Sequence, residues 1–238
     1  MLTDLRRSLA SAVVPVVVVC ASTVAAAAMS AQSKRAELDG VWILAANATI
    51  DVTLTPAGEA ARARYNYLKD DPAMRCIPAT FTRVMHTPSP PIEVRQRGDE
   101  VQINYEFMDV HRRVPIKPGL AAKDAPYTVK EHPHLGRSVG RYDGDALVID
   151  TVDQRAGILD TLGAPGLVQS DQMRTEERFT PNGNRMTIVV THHDPVYYAK
   201  PLVVTFTYQR LPGEILPWDC TPEKASYDAF PPKSDNPR

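Results

Sequence analysis

The 238-residue chain has only 12 glycines against 21 prolines, three cysteines and no excess of either charge, with 27 Lys and Arg against 28 Asp and Glu. The charge balance argues against a nucleic-acid partner held by a broad basic face. Proline in excess of glycine favours extended segments and turns over long helices. Beyond residue 28 no run is long and apolar enough to cross a bilayer, so no stable membrane insertion of the mature chain is expected. Gly-x-Gly-x-x-Gly and the phosphate-loop pattern are missing, which speaks against a nucleotide. Gly-x-Ser-x-Gly is missing, which speaks against a serine hydrolase. No cofactor is expected. With 43 % hydrophobic and 23 % charged residues, the composition is that of an ordinary globular chain.

The N-terminus reads as an address. Arg6 and Arg7 precede an uncharged stretch over residues 9–28, small residues follow to Ala31, and Gln32 to Arg35 is polar. A basic start, an apolar middle and a small-residue exit are the parts of a secretory signal peptide, with an uncleaved anchor as the rival reading. The expected organisation is a signal peptide over 1–31, one β-barrel domain over 32–230 and a loose tail over 231–238, in a periplasmic or secreted protein. Removal of Cys20 with the signal leaves Cys76 and Cys220. An even count in an exported protein predicts a disulfide between them.

Runs of β-branched and aromatic residues around tight turns predict eight or nine strands. Residues 92–96 and 101–108 flank Arg97-Gly98-Asp99-Glu100. Residues 139–142 and 146–152 flank Asp143-Gly144-Asp145, and residues 172–180 and 185–191 flank Pro181-Asn182-Gly183-Asn184. Residues 40–46, 111–116 and 202–210 complete the set, with a bend at 108–110. One helix is expected after the first strand, capped by Thr55 with Pro56 in its first turn, and ended by Asp70-Asp71-Pro72. Ala57, Ala61, Tyr65 and Leu68 would form its apolar face. The fold class is all-β, an antiparallel up-and-down barrel, since closure removes exposed sheet edges.

Gly40-Val41-Trp42 opens the first strand and Arg210 ends the last one. This pairing resembles the lipocalin and wider calycin pattern, in which an arginine from the last strand lies across the tryptophan of the first. The resemblance implies a cation–π contact at the barrel floor. Through Gly140-Arg141-Tyr142-Asp143-Gly144-Asp145 and Glu177-Arg178-Phe179-Thr180 the mature chain is also similar to a group of exported bacterial proteins, which implies no function.

Candidate chemistry clusters at predicted strand ends and loops. His132 and His134 lie in the long connection over 117–137, and His192, His193 and Asp194 follow the strand ending at Thr191. In a meander every second connection falls at the same rim, which places these groups together. His134 and His192 are the proton-transfer candidates, Asp194 their orienter, and Glu106 and His111 further acid–base candidates. Arg174, His193, Tyr197, Tyr198, His132 and Tyr105 are candidates for substrate contact. His132 and His134 share a side of an extended segment, yet no dedicated metal spacing occurs, and no metal is assigned. Along residues 172–180 one face carries Arg174, Glu176 and Arg178, while the other mixes Met173 and Phe179 with Thr175 and Glu177. A strand lining a polar cavity tolerates such a pattern. Two functions remain: a cofactor-independent lyase, isomerase or cyclase acting on a small hydrophobic molecule of the aromatic or terpenoid kind; or a non-catalytic periplasmic binding protein for such a molecule.

Overall fold

The structure is a computed structural model and describes residues 37–46, 50–77, 80–85, 87, 90–125, 135–160 and 166–221. The expected signal peptide, the tail over 231–238, His132 and His134 lie outside the described residues.

Among the described residues nine strands form one sheet in the spatial order β4-β3-β2-β1-β11-β10-β9-β6-β5. They are β1 (Gly40–Ala46), β2 (Ile92–Arg97), β3 (Glu100–Tyr105), β4 (Val110–Pro115), β5 (Arg137–Asp143), β6 (Ala146–Val152), β9 (Arg174–Asn182), β10 (Arg185–His193) and β11 (Leu202–Leu211). A separate hairpin, β7 (Gly157–Asp160) with β8 (Leu167–Gln169), occupies the connection from β6 to β9 that the sequence presents as a Gly-rich loop. The result is a nearly closed antiparallel up-and-down barrel, as the sequence leads one to expect.

Alternation sets the faces. In β10, Met186, Ile188, Val190 and His192 are buried; in β11, so are Leu202, Val204, Phe206 and Tyr208. The residues between them face outward and are less covered. The turn between β9 and β10 places Gly183 at φ 57°, the left-handed conformation that its Asn-Gly pair predicts. Trp42, Ile103, Leu147, Ile149, Phe179, Ile188 and Val190 all lie in one hydrophobic core at 0 % exposure. Each large apolar side chain so buried contributes roughly 1.5–3 kcal/mol before ordering costs.

Nine is an odd number, and a ring of strictly alternating strands needs an even one. One neighbouring pair must therefore run parallel. That pair is β4 and β5, where the ladder is reduced to a single parallel bridge between Ile116 and Gly140, with Lys117 N–H donating to Gly140 O at 3.0 Å. Gly140 lets Ile116 pack close: a Cβ there would lie 2.6 Å from Ile116 Cδ1, and the isoleucine side chain would have to shift. The connection after β4 consequently leaves from the rim of the 181–184 turn and returns to the rim of His192. The sequence-based parity, which assigned the whole 117–137 connection to the His192 rim, is corrected to its arriving end. Part of that connection, around Ala122 and Ala125, packs with Val139 on the outside of the sheet.

The segment between β1 and β2 holds α1 (Pro56–Arg64), α2 (Tyr67–Asp70), a single 3₁₀ turn (Pro72–Arg75) and α3 (Phe81–Met85). Thr55 caps α1 by accepting from Gly58 N–H, and Pro56 occupies its first turn, as expected. The single helix expected to run on to Leu68 is corrected to two, because Asn66 supplies a second cap by accepting from Lys69 N–H. Of the anticipated apolar face, Ala61, Tyr65 and Leu68 are half-buried and Ala57 is exposed, while Gly58 is the residue of α1 that is fully covered. Thr55 N–H donates to Tyr197 O, and Leu54 bridges to Tyr198, so this segment is fastened to the rim beyond β10. Cys76 and Cys220 are disulfide-bonded, with their Cα atoms 5.4 Å apart.

Candidate functional site

The polar centre of the barrel interior is built from residues on five different strands. Arg112 sits between Val110 and Val114 on the inward face of β4, and Glu177 between Thr175 and Phe179 on that of β9. Their side chains are 1 % and 0 % exposed and form an ion pair at 2.6 Å. Arg112 Nη2 also donates to Ser138 Oγ (β5) at 3.0 Å and to Thr151 Oγ1 (β6) at 2.7 Å. The arginine thus spans the β4–β5 seam that backbone hydrogen bonds leave largely open. Its guanidinium carbon lies 3.8 Å from the centre of the Phe81 ring, which α3 brings over the interior. Burial is the largest single influence on Arg112 and opposes its charge, but Glu177 and Tyr105 together outweigh it and leave the pKa raised.

Tyr105, from the end of β3, is 1 % exposed. Burial first, and the nearby Glu177 second, push its phenol far above the ordinary tyrosine range, so it stays protonated. Tyr208 on β11 is likewise raised by burial and by Tyr105. Beyond the end of β6, Gln154 Nε2 donates to Thr175 Oγ1 (β9) at 3.0 Å, and Thr175 Oγ1 lies 3.5 Å from His192 Nδ1 (β10). Tyr105 and Arg112 lie close enough to interact through their side chains, but among the described groups no hydrogen bond of good geometry reaches Arg112 Nε, Arg112 Nη1, Tyr105 Oη or either carboxylate oxygen of Glu177. Unfilled donors and acceptors in a sealed interior are costly and call for a partner.

The sequence candidates divide by face. Tyr105 and His192 point into the interior, at 1 % and 0 % exposure. Arg174, expected to reach inward from the wall, is exposed on the outer face, because the inward phase of β9 belongs to Thr175 and Glu177. His193 follows His192 and therefore also faces out. It lines a cleft of about 200 Å³ with Asp194, Pro195, Tyr198, Ala199, Lys200 and Pro201. Partial burial first, and the cation of Arg174 second, lower its pKa, against a smaller opposing effect of Glu176.

Asp194 is committed to the backbone. Its Oδ2 accepts from Ser170 N–H at 2.6 Å, and its Oδ1 accepts from Ser170 Oγ at 2.8 Å, Val196 N–H at 3.0 Å and Tyr197 N–H at 3.4 Å. This arrangement holds the turn after β10 rather than orienting an imidazole. Tyr198 donates its hydroxyl to Val168 O at 2.8 Å, and Tyr197 packs half-buried against the core. His111 is exposed and hydrogen-bonds Asn104 at 3.0 Å, because β4 turns Arg112 inward. Glu106 accepts from Leu216 N–H at 2.8 Å and clasps the C-terminal segment. Neither residue reaches the interior cluster.

Sequence reasoning passed over Arg112 altogether and left Glu177 as one polar residue on a mixed face. A signal was present: each charge sits in phase with buried neighbours at i−2 and i+2, and the two have opposite signs. Among the described residues no three His, Cys, Asp or Glu side chains group closely enough to hold a metal ion.

No protein-family model matches the chain, and no curated protein matches it in sequence. Solved structures do match in backbone course. The REP1-NXSQ fatty acid transporter has 14 % identity and a TM-score of 0.37, over 74 % of this chain and 98 % of that one. A secretory abundant heat soluble protein from Ramazzottius varieornatus has 9 % identity and a TM-score of 0.40, over 75 % and 98 %. Human cRBP IV has 15 % identity and a TM-score of 0.37, over 74 % and 99 %. All three similarities are too distant to transfer a ligand or an activity.

Proposed function

We propose that this is an exported, non-catalytic binding protein that holds a small, largely apolar molecule inside its barrel. The observation that supports this reading is the interior cluster of Arg112, Glu177 and Tyr105. It sets a few convergent polar groups with unused hydrogen-bonding capacity among apolar walls such as Ile103, Ile188, Val190 and Phe206. Binding sites for small molecules have this composition, with polar groups fixing orientation and apolar surface supplying affinity. Acid–base catalysis is the weaker reading. Asp194 is occupied by the backbone, and Glu106 and His111 lie away from His192. Export rests on the sequence of residues 1–31, and a disulfide between Cys76 and Cys220 suits that compartment.

The cluster is sealed from solvent, so entry requires rim segments to part. α3 carries both Phe81, over Arg112, and Arg83, paired with Asp71 at 2.9 Å. Native mass spectrometry of protein purified from its own host tests the reading. A reproducible small-molecule adduct that disappears on denaturation is expected. A barrel that arrives empty and takes up no Nile red from solution overturns it.

A further inference from the structure

We propose that the ligand end reaching the interior cluster is uncharged and offers both a hydrogen-bond donor and an acceptor, as an alcohol or a primary amide does, and that Glu177 excludes carboxylates. The inference rests on the barrel-binding reading above. It follows from charge bookkeeping and from which atoms remain unfilled.

Among the described residues the interior holds one cation near Tyr105, and that cation is already neutralised. Arg112 has Glu177 at 2.6 Å, with Ser138 and Thr151 completing the bonds of the same nitrogen. Arg83, the second buried arginine among the described residues, is neutralised by Asp71 and lies against the Phe107 ring at 5.5 Å. An entering carboxylate therefore meets a balanced pair and not an open positive charge. It would bring a second carboxylate beside Glu177 in a medium that screens poorly, and such like-charge contacts are strongly unfavourable.

The unfilled atoms ask for something else. Arg112 Nε and Nη1 together offer more donors than the neighbouring Tyr105 oxygen can accept, Glu177 Oε1 is an acceptor in need of a donor, and the Tyr105 O–H remains available as a donor. A hydroxyl or amide group answers both needs at once without adding charge. The aromatic and aliphatic walls then receive the rest of the molecule. A site built on buried polar groups discriminates strongly, because the wrong ligand leaves them unpaired.

The test uses the full mature protein and two matched sets: dodecanamide, dodecanol and dodecanoate; and phenylacetamide, phenylethanol and phenylacetate. Displacement of Nile red and calorimetry report affinity. In at least one set the neutral members should bind more tightly than the carboxylate by about tenfold or more. Glu177→Gln frees the charge of Arg112 and should reverse that order. Tyr105→Phe should weaken the neutral members several-fold and leave the carboxylate unchanged, and it keeps the proposal open to refutation if the Glu177 variant does not fold. Carboxylates that bind the natural protein as well as the neutral members overturn the proposal but leave the barrel-binding reading standing. Uptake of Nile red without preference among the six compounds also overturns the proposal alone. Failure of Nile red and of all six to bind removes both.

Discussion

Gly40 leaves open the space that Arg210 fills. A Cβ at residue 40 would fall well inside van der Waals contact with Arg210 Nη1, and the backbone there adopts φ +132°. Arg210 is the ladder partner of Trp42, its guanidinium carbon lies 4.3 Å from the centre of the indole ring, and it donates to Asp39 O. Trp42 in turn donates from Nε1 to Leu38 O at 2.8 Å. The Gly-x-Trp signature and the distant arginine are one packing unit at the barrel floor, with Arg210 half-buried and Trp42 wholly so.

Gly40→Ala should therefore destabilise the protein by about 1–3 kcal/mol through strain and steric conflict. Trp42→Ala should cost more, on the order of 3–5 kcal/mol, as the loss of a fully buried aromatic. Urea denaturation measures both. In an Arg210→Ala background the Gly40→Ala penalty should shrink to its backbone part, and additive penalties would show that the two residues do not interact.

The Arg112–Glu177 pair makes a different signature. Removing one partner strands a buried charge, so Glu177→Leu or Arg112→Met alone should each cost roughly 3–5 kcal/mol. The double variant should be markedly more stable than either single one, because no charge is left to compensate. Three denaturation curves settle the point, and a double variant no better than the worse single one would contradict the pairing.

The disulfide encloses 144 residues of sequence separation and fastens the 3₁₀ turn over residues 72–75 to the segment that crosses Glu106 and Phe107. In that segment Trp218 meets the Phe107 ring edge-on at 5.0 Å. Labelling of the denatured, unreduced mature protein should find no free thiol. Reduction should lower stability by up to about 4–5 kcal/mol from chain entropy alone. Two reactive thiols per unreduced chain would contradict the bond.

His193 supplies a pH dependence with a defined sign. Its pKa in the folded protein is lowered by partial burial and by Arg174, so the folded state takes up a proton at lower pH than the unfolded chain. The associated stability is fully present above the ordinary histidine pKa of about 6.5 and declines as pH falls below it. Melting temperatures between about pH 8 and pH 5 should fall more steeply for the natural protein than for His193→Gln. Equal slopes would dissociate His193 from the effect.

Much of the fold can be read from local chemistry. Alternation of period two marks β10 and β11, Asn182-Gly183 marks their neighbour's turn, Thr55-Pro56 starts α1, and export with two cysteines implies the bridge. These features depend on residues close in sequence, or on a count, and no knowledge of distant partners is needed. The site was legible only in fragments. Tyr105 and His192 lie in phase with apolar neighbours and point inward accordingly, whereas Arg174 and His193 belong to the opposite phase and point out. Asp194 beside two histidines looks like a catalytic carboxylate until Ser170, from another strand's end, occupies it.

What the chain alone determined was the nine barrel strands and their turns; the floor contact of Trp42 with Arg210 was implied by the calycin resemblance, and the β7–β8 hairpin was not foreseen. Tertiary structure decided the interior. An arginine in β4 and a glutamate in β9 are each prohibitive inside a barrel, and sequence periodicity assigns a lone charge to the surface by default. Only the closing of nine strands, with their one parallel seam, brings Arg112 against Glu177, where each offsets the desolvation of the other. That compensation acts between residues distant in sequence, and it is a property of the closed sheet.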